Sequence, residues 1–212
     1  MPLRRLFVAL LIAAATATPA LAIDTVLAPA TVDRAFAQGR AMAEAHRGFT
    51  VAPYLLFGVD DAAQVHDDAP VEAVELATPY EAVRYRGFLS GFEETAMTPA
   101  ALAAFAADAR THVDVRVYVH NSDPTDRNVL TAFGDGALEC ADGTRIPAAL
   151  QRSAPIRDVY LNGTTPTYRW RGQLTYRFAL TPALLACHPA TFTFTAAANQ
   201  IYRYPLNLPA YE

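Results

Sequence analysis

The sequence predicts an α+β fold in which an antiparallel, sandwich-like strand region is joined to a helical N-terminal layer. Helical patterns dominate residues 23–110, and alternating strand patterns dominate residues 111–212. Runs of helices followed by runs of strands are typical of α+β domains. No internal repeat or low-complexity linker separates the two regions, so we expect one domain over residues 23–212.

The first 22 residues have the pattern of a signal peptide. Arg4 and Arg5 precede the apolar residues 6–15, and Ala20 and Ala22 form the small-x-small pattern of a cleavage site. The apolar run is shorter than the roughly 20 residues that a membrane-spanning helix needs. We therefore expect export, cleavage after Ala22, and a periplasmic or secreted protein with no transmembrane segment in the mature chain.

The region before residue 110 contains three predicted helices. Residues 31–47 have one apolar face and are followed by a glycine, which is typical of a helix end. Thr78 and Pro79, with Glu81 three residues after the threonine, indicate a helix start, and this helix is expected to run to about Phe92. Its apolar residues surround the axis, which predicts either a helix covered on two sides or a partly extended segment.

A further helix and two short strands complete this region. Thr98 and Pro99 begin an alanine-rich helix. Residues 49–57 are apolar and β-prone, and residues 71–77 are predicted to form a short strand.

Two long strands dominate the rest of the chain. Four valines between residues 113 and 119 alternate with polar residues, which predicts a strand with one buried face. Residues 168–180 alternate in the same way, with Tyr168 and Trp170 on the apolar face and arginines on the other. Asn162 and Gly163 predict a hairpin turn before this strand, and residues 191–196 and 201–204 are predicted to form a final strand pair.

Two cysteines follow the predicted signal peptide, Cys140 and Cys187. An even pair in an exported chain predicts a disulfide, and the absence of a Cys-x-x-Cys spacing argues against a redox-active or metal-binding pair.

Composition excludes several classes of function. The formal net charge is −4, and a nucleic-acid-binding protein usually needs a concentrated basic surface. All basic side chains other than histidine are arginines, so Schiff-base chemistry and lysine-dependent phosphate loops are excluded.

The polar face of the valine-rich strand is a candidate metal site. His112, Asp114 and His120 share this face with Arg116 and Tyr118. His112 and Asp114 could share a metal ion or form an acid/base pair, although a third ligand would have to come from elsewhere. The alternative interpretation is the solvated face of a half-buried strand.

A second metal candidate is the acidic connection that contains Asp60, Asp61 and His66. Oxygen-rich clusters suit calcium, but the EF-hand spacing is absent, and a solvated acidic loop is the alternative.

The third candidate is the arginine stripe, defined as Arg169, Arg171 and Arg177 on the presumed exposed face of the long strand. Three guanidinium groups on one face could hold a phosphate, a carboxylate or an anionic polymer of the cell envelope. The alternative is that they pair with acids on neighbouring strands.

Motifs for covalent catalysis are missing from the chain. There is no HExxH, no dinucleotide fingerprint and no Gly-x-Ser-x-Gly, and only three serines follow residue 22. We therefore expect a non-catalytic, exported bacterial accessory protein without a cofactor, binding an envelope protein or an anionic ligand. A metal-assisted hydrolase using the His112, Asp114 and His120 face is the alternative, and a chaperone-like module that pairs a free strand edge with a client is a third.

Overall fold

The protein has an α+β fold, as the sequence predicts. The structure, a computed structural model, describes residues 27–58, 70–121, 123, 125–162 and 165–211. The predicted signal peptide lies outside these residues. Within them, four α-helices and ten strands follow the order α1 (Pro29–Glu44), β1 (Leu55–Gly58), β2 (Val71–Ala77), α2 (Pro79–Phe92), α3 (Pro99–Ala109), β3 (His112–His120), β4 (Gly136–Cys140), β5 (Arg145–Pro147), β6 (Ala149–Arg152), β7 (Ile156–Asn162), β8 (Thr165–Ala179), α4 (Pro182–Ala186), β9 (Ala190–Thr195) and β10 (Ile201–Leu206).

The strands form two antiparallel sheets. The six-stranded sheet has the order β1-β2-β3-β8-β6, and β7 pairs with the first half of β8 on the same side as β6. The four-stranded sheet has the order β10-β9-β4-β5. The valine-rich strand and the long strand are neighbours, with Asp114 opposite Arg177 and Tyr118 opposite Gln173.

The main core lies between the two sheets. Val115 and Val117 of β3 and Tyr176 of β8 are fully buried there against Phe192 and Phe194 of β9. Because side chains alternate along a strand, the polar residues of β3 and β8 face away from this core, toward the helices.

The helices form a third layer over the polar face of the six-stranded sheet. A smaller apolar cluster, including Val32, Tyr54 and Val83, holds this layer together. Helix α2 is helical throughout and buried on several sides, which explains its irregular apolar pattern. Gly39 and Gly87 allow α1 and α2 to approach closely, because a Cβ at either glycine would collide with the backbone of the opposite helix.

The predicted helix starts are confirmed by their caps. Thr78 accepts a hydrogen bond from the amide of Glu81 at 3.2 Å, and Thr98 accepts one from Ala101 at 3.2 Å. Helix α1 begins and ends slightly earlier than the sequence predicts.

The predicted disulfide is confirmed. Cys140 at the end of β4 is bonded to Cys187 after α4, with their Cα atoms 4.9 Å apart. Within the described residues, no helix is long and apolar enough to cross a membrane.

The long strand β8 extends beyond its partner β3. Residues before Arg171 pair with β7 but not with β3, so they form a two-stranded ribbon. The prediction that Tyr168 lies in the core is therefore wrong, because this residue is on the ribbon and 49% exposed.

The C-terminal segment connects the two apolar clusters. Tyr211 packs against both of them, and its ring stacks on that of Tyr54 with 6.1 Å between centroids.

Candidate functional site

Ion pairs occupy the space between the helical layer and the six-stranded sheet. Arg177 donates from Nε to Asp114 Oδ1 at 2.8 Å and from Nη2 to Oδ2 at 2.9 Å. This bidentate contact raises the pKa of Arg177, against the opposing effect of its partial burial. Both oxygens of Asp114 are engaged by one guanidinium group.

A second cluster crosses from β2 to β3. The fully buried Glu75 accepts from Arg116 Nη1 at 3.1 Å and from the Tyr118 hydroxyl at 2.7 Å. Burial alone would lower the pKa of Arg116, but Glu75 raises it above its usual value. Burial and the neighbouring carboxylate both raise the pKa of Tyr118, so the phenol remains a hydrogen-bond donor.

A third pair lies within α2. Arg84 Nε donates to Glu81 Oε2 at 2.7 Å, and Arg84 Nη2 donates to the carbonyl of Thr50 at 2.6 Å. Glu81 is fully buried, and desolvation raises its pKa to about 7 despite Arg84. Its Oε1 has no hydrogen-bond partner among the described residues.

A cleft of about 290 Å³ opens beside these pairs, between α2, α3, β3 and β8. We call it the helix-side cleft. Its apolar walls are formed by Tyr85, Leu89 and Phe105. Its polar residues are Arg86, Asp108, His112, Asp114, Arg116 and Arg177.

His112 is held in one tautomer at the edge of this cleft. The Thr111 hydroxyl donates to the carbonyl of Asp108 at 2.7 Å, so its oxygen accepts from His112 Nδ1 at 2.9 Å. The unprotonated Nε2 then lies 3.9 Å from Asp114 Oδ2. Burial lowers the pKa of His112, so the imidazole is neutral at pH 7.

The arginines of the helix-side cleft retain hydrogen-bond donors. Arg116 uses Nη1, and Arg177 uses Nε and Nη2, of the five N–H groups that each guanidinium carries. Among the described residues, Arg86 has no ion-pair partner, although it lines the same cleft. Three guanidinium groups therefore converge on one half-enclosed volume.

The arginine stripe is divided between different environments. Arg177 lines the helix-side cleft, and Arg171 forms an ion pair with Asp158 at 2.8 Å. The expectation that all three arginines are exposed is wrong for Arg169, which is only 7% exposed and has Nη1 3.0 Å from His120 Nε2. Arg169 and His120 lie near the base of the ribbon, where β8 leaves β3.

The proposed metal ligands of β3 do not converge on one point. His112 and His120 are the first and last residues of the strand, so about 26 Å of backbone separates them. Nδ1 of His120 instead lies 2.9 Å from the carboxylate oxygen Oε1 of Glu72. In the part of the chain that the structure describes, no group of three or more His, Cys, Asp or Glu residues could hold a metal ion.

The other metal candidate is the acidic connection between β1 and β2. Asp60, Asp61 and His66 lie outside the described residues. Their role remains the prediction made from the sequence.

A second cleft lies on the same face of the six-stranded sheet. We call it the sheet-face cleft; its volume is about 260 Å³. Its polar lining is Glu72, Tyr118, Ser153, Arg171 and Gln173, and Ile156 adds an apolar side chain.

Several cleft residues have no distinctive signal in the sequence. Arg86 and Asp108 lie on α2 and α3, where single charges normally indicate a solvated helix face. Arg116 was identifiable only as part of the polar face of its strand. The close approach of helix and strand residues depends on tertiary packing, which a local pattern does not encode.

Comparison with known proteins adds no functional information. No protein-family model matches the chain, and no curated protein matches it. A solved structure from Burkholderia pseudomallei K96243, described as a novel protein of unknown function, has a TM-score of 0.41 and 13% sequence identity over 90% of this chain and 95% of that chain. A similarity of that size establishes neither a shared fold nor a shared role.

Proposed function

We propose that this is an exported, non-catalytic binding protein that takes a carboxylate-bearing ligand in the helix-side cleft. The observation that carries the proposal is Arg86, which faces the cleft without an ion-pair partner among the described residues. Arg116 and Arg177 add free N–H groups to the same volume, and planar guanidinium groups suit a carboxylate.

The surroundings favour binding over covalent chemistry. Asp114 is fully engaged by Arg177, so it is not a free nucleophile or metal ligand. The apolar wall formed by Tyr85, Leu89 and Phe105 would bury the uncharged part of a small ligand. The disulfide, together with the signal-peptide pattern, supports a location outside the cytoplasm.

Isothermal titration calorimetry can test the proposal by measuring the affinity for galacturonate, glutamate and benzoate. Each ligand is compared with an uncharged analogue. We expect at least one carboxylate to bind and its analogue not to bind. R86Q should weaken binding about tenfold or more, the order expected for losing one charge-assisted hydrogen bond. R157Q is the matched control, because Arg157 is an exposed arginine outside the cleft. Binding of no carboxylate, or equal binding by R86Q, would refute the proposal.

The alternative of a metal-assisted hydrolase would need ligands from outside the described residues. It predicts stoichiometric zinc or calcium in the purified protein, which elemental analysis would detect.

A strand-pairing module would need a strand edge whose main-chain groups are free. On β7, one main-chain donor is already used, because the amide of Val159 donates to the side chain of Asp158 at 2.8 Å.

A further inference from the structure

We infer that the ligand is an acidic oligosaccharide that lies along β8 and occupies both the helix-side cleft and the sheet-face cleft. The inference rests on the proposed function, because it extends the carboxylate site to a second site on the same sheet face. It goes beyond that function by assigning a ligand class, a direction and a role for the sheet-face cleft.

A continuous polar track connects the two clefts. Arg171, Gln173, Thr175 and Arg177 occupy alternate positions of β8, and all four are partly exposed. Gln173 Nε2 donates to Thr175 Oγ1 at 3.0 Å, so the middle of the track is already ordered. The track begins and ends with an arginine, and each of these arginines lines one cleft. Arg171 contacts Asp158 through Nε, and Arg177 contacts Asp114 through Nε and Nη2, so each guanidinium keeps other N–H groups for a ligand.

The length of the track requires an elongated ligand. Arg171 and Arg177 are six residues apart on one strand, which corresponds to roughly 20 Å, a distance that about four pyranose rings span. A single small carboxylate can therefore reach only one of the two arginines. An oligomer with acidic groups along its length can reach both.

The mixed charge of the clefts favours a ligand that carries hydroxyl groups. Asp108 lines one cleft and Glu72 lines the other, alongside the arginines. A polyanion without donors would be repelled by these carboxylates, whereas a sugar hydroxyl can donate to them while the acid group accepts from arginine. Tyr85, 36% exposed, offers an aromatic surface to a sugar ring in the helix-side cleft.

The backbone of the track disfavours an acidic peptide. Strand β8 is paired with β3 from Arg171 to Arg177, and β7 and β6 occupy much of its other side. Its main-chain groups are therefore largely used, so the track offers side chains instead of the ladder that an extended peptide would join.

The test is titration of the mature protein with galacturonate, tetragalacturonate and uncharged cellotetraose. We expect tetragalacturonate to bind at least about tenfold more tightly than the monomer, because a second site adds to the first. The uncharged cellotetraose should not reach the affinity of tetragalacturonate. R171Q should reduce the affinity for tetragalacturonate to about that of the monomer, while R157Q keeps the wild-type affinity. Thermal unfolding of both variants verifies that they fold.

The outcomes separate this inference from the proposed function. If galacturonate binds and R86Q weakens the binding, but the tetramer binds no more tightly, the second site is refuted and the carboxylate site stands. If only glutamate or benzoate binds in an Arg86-dependent manner, the saccharide class is refuted. An equal gain with tetraglutamate would replace the saccharide by an acidic peptide. If no carboxylate binds, both proposals fall.

Discussion

At the scale of single residues, the buried carboxyl of Glu81 makes stability depend on pH. Its pKa is raised from 4.5 to about 7 by burial in the helical layer. Between these two values the folded protein holds a proton that the unfolded chain has released, so stability falls as the pH rises. Above about pH 7 the folded protein carries a buried charge that is only partly compensated by Arg84.

We predict that E81Q stabilises the protein at pH 8 but not at pH 5. Glutamine can still accept from Arg84 and is neutral at both pH values. A shift of this size corresponds to roughly 3 kcal/mol at most. Urea unfolding of both proteins at the two pH values measures the difference. E44Q, which removes an exposed carboxylate, serves as the control, and an equal effect of E81Q at both pH values would contradict the prediction.

His112 gives ligand binding a different pH dependence. Burial lowers its pKa below the ordinary histidine value, so the imidazole becomes charged only in acidic solution. A protonated His112 adds a positive charge beside Arg177, and we expect galacturonate to bind more tightly at pH 5 than at pH 8. H112Q should lose this increase while still binding at pH 8. Calorimetric titration of both proteins with galacturonate at the two pH values measures this difference in affinity. A pH-independent affinity in the wild-type protein would contradict the role of His112.

At the scale of secondary-structure elements, the α1–α2 contact depends on glycine. A Cβ at Gly87 would collide with the carbonyl of Phe36 on α1, and backbone atoms cannot yield as a side chain can. Alanine in place of glycine favours an isolated helix by about 1 kcal/mol. Moving the two packed helices apart costs more than this gain. Overpacking typically costs about 1–3 kcal/mol, and the atoms that a Cβ at Gly87 would meet belong to the backbone of α1.

We therefore predict that G87A destabilises the protein by up to about 2 kcal/mol net. Chemical denaturation provides the measurement. G48A is the matched control, because a Cβ at Gly48 has open space around it, and it should change stability by less than about 0.5 kcal/mol. A stabilised G87A would show that the helices can separate without cost.

The sequence predicts individual helices and strands, but it does not predict what packs against them. Alternation located β3 and β8, and the Thr-Pro starts located α2 and α3, because these signals are local. Alternation identifies the two faces of a strand, but it does not identify what covers each face. The sequence predicts a solvated or metal-binding polar face for β3, whereas Asp114 on this face and Glu75 on the neighbouring strand β2 are buried in ion pairs. Their partners come from strands distant in sequence and could not be assigned.

At the scale of the whole molecule, the disulfide closes a long loop that contains strands of both sheets. Cys140 and Cys187 are 47 positions apart, so the bond restricts the unfolded chain across β5 to α4. The chain-entropy relation gives about 4 kcal/mol for a loop of this length.

We predict that replacing both cysteines by alanine lowers the free energy of unfolding by up to about 4 kcal/mol. Denaturation of the oxidised protein, the reduced protein and the double variant measures this. The reduced protein and the variant should agree, since both lack the same cross-link. Unchanged stability after reduction would show that the unfolded chain is already restricted in this region.

The contact between Tyr54 and Tyr211 can form only after nearly the whole chain has been synthesised. Tyr54 belongs to the helical layer, yet its stacking partner leaves the ribosome later by roughly 8 to 30 s at about 5–20 residues per second. Until then, the helical layer lacks the residue that packs against both apolar clusters. In the exported protein that we propose, the helical layer therefore gains this contact only after the C-terminal segment has joined it.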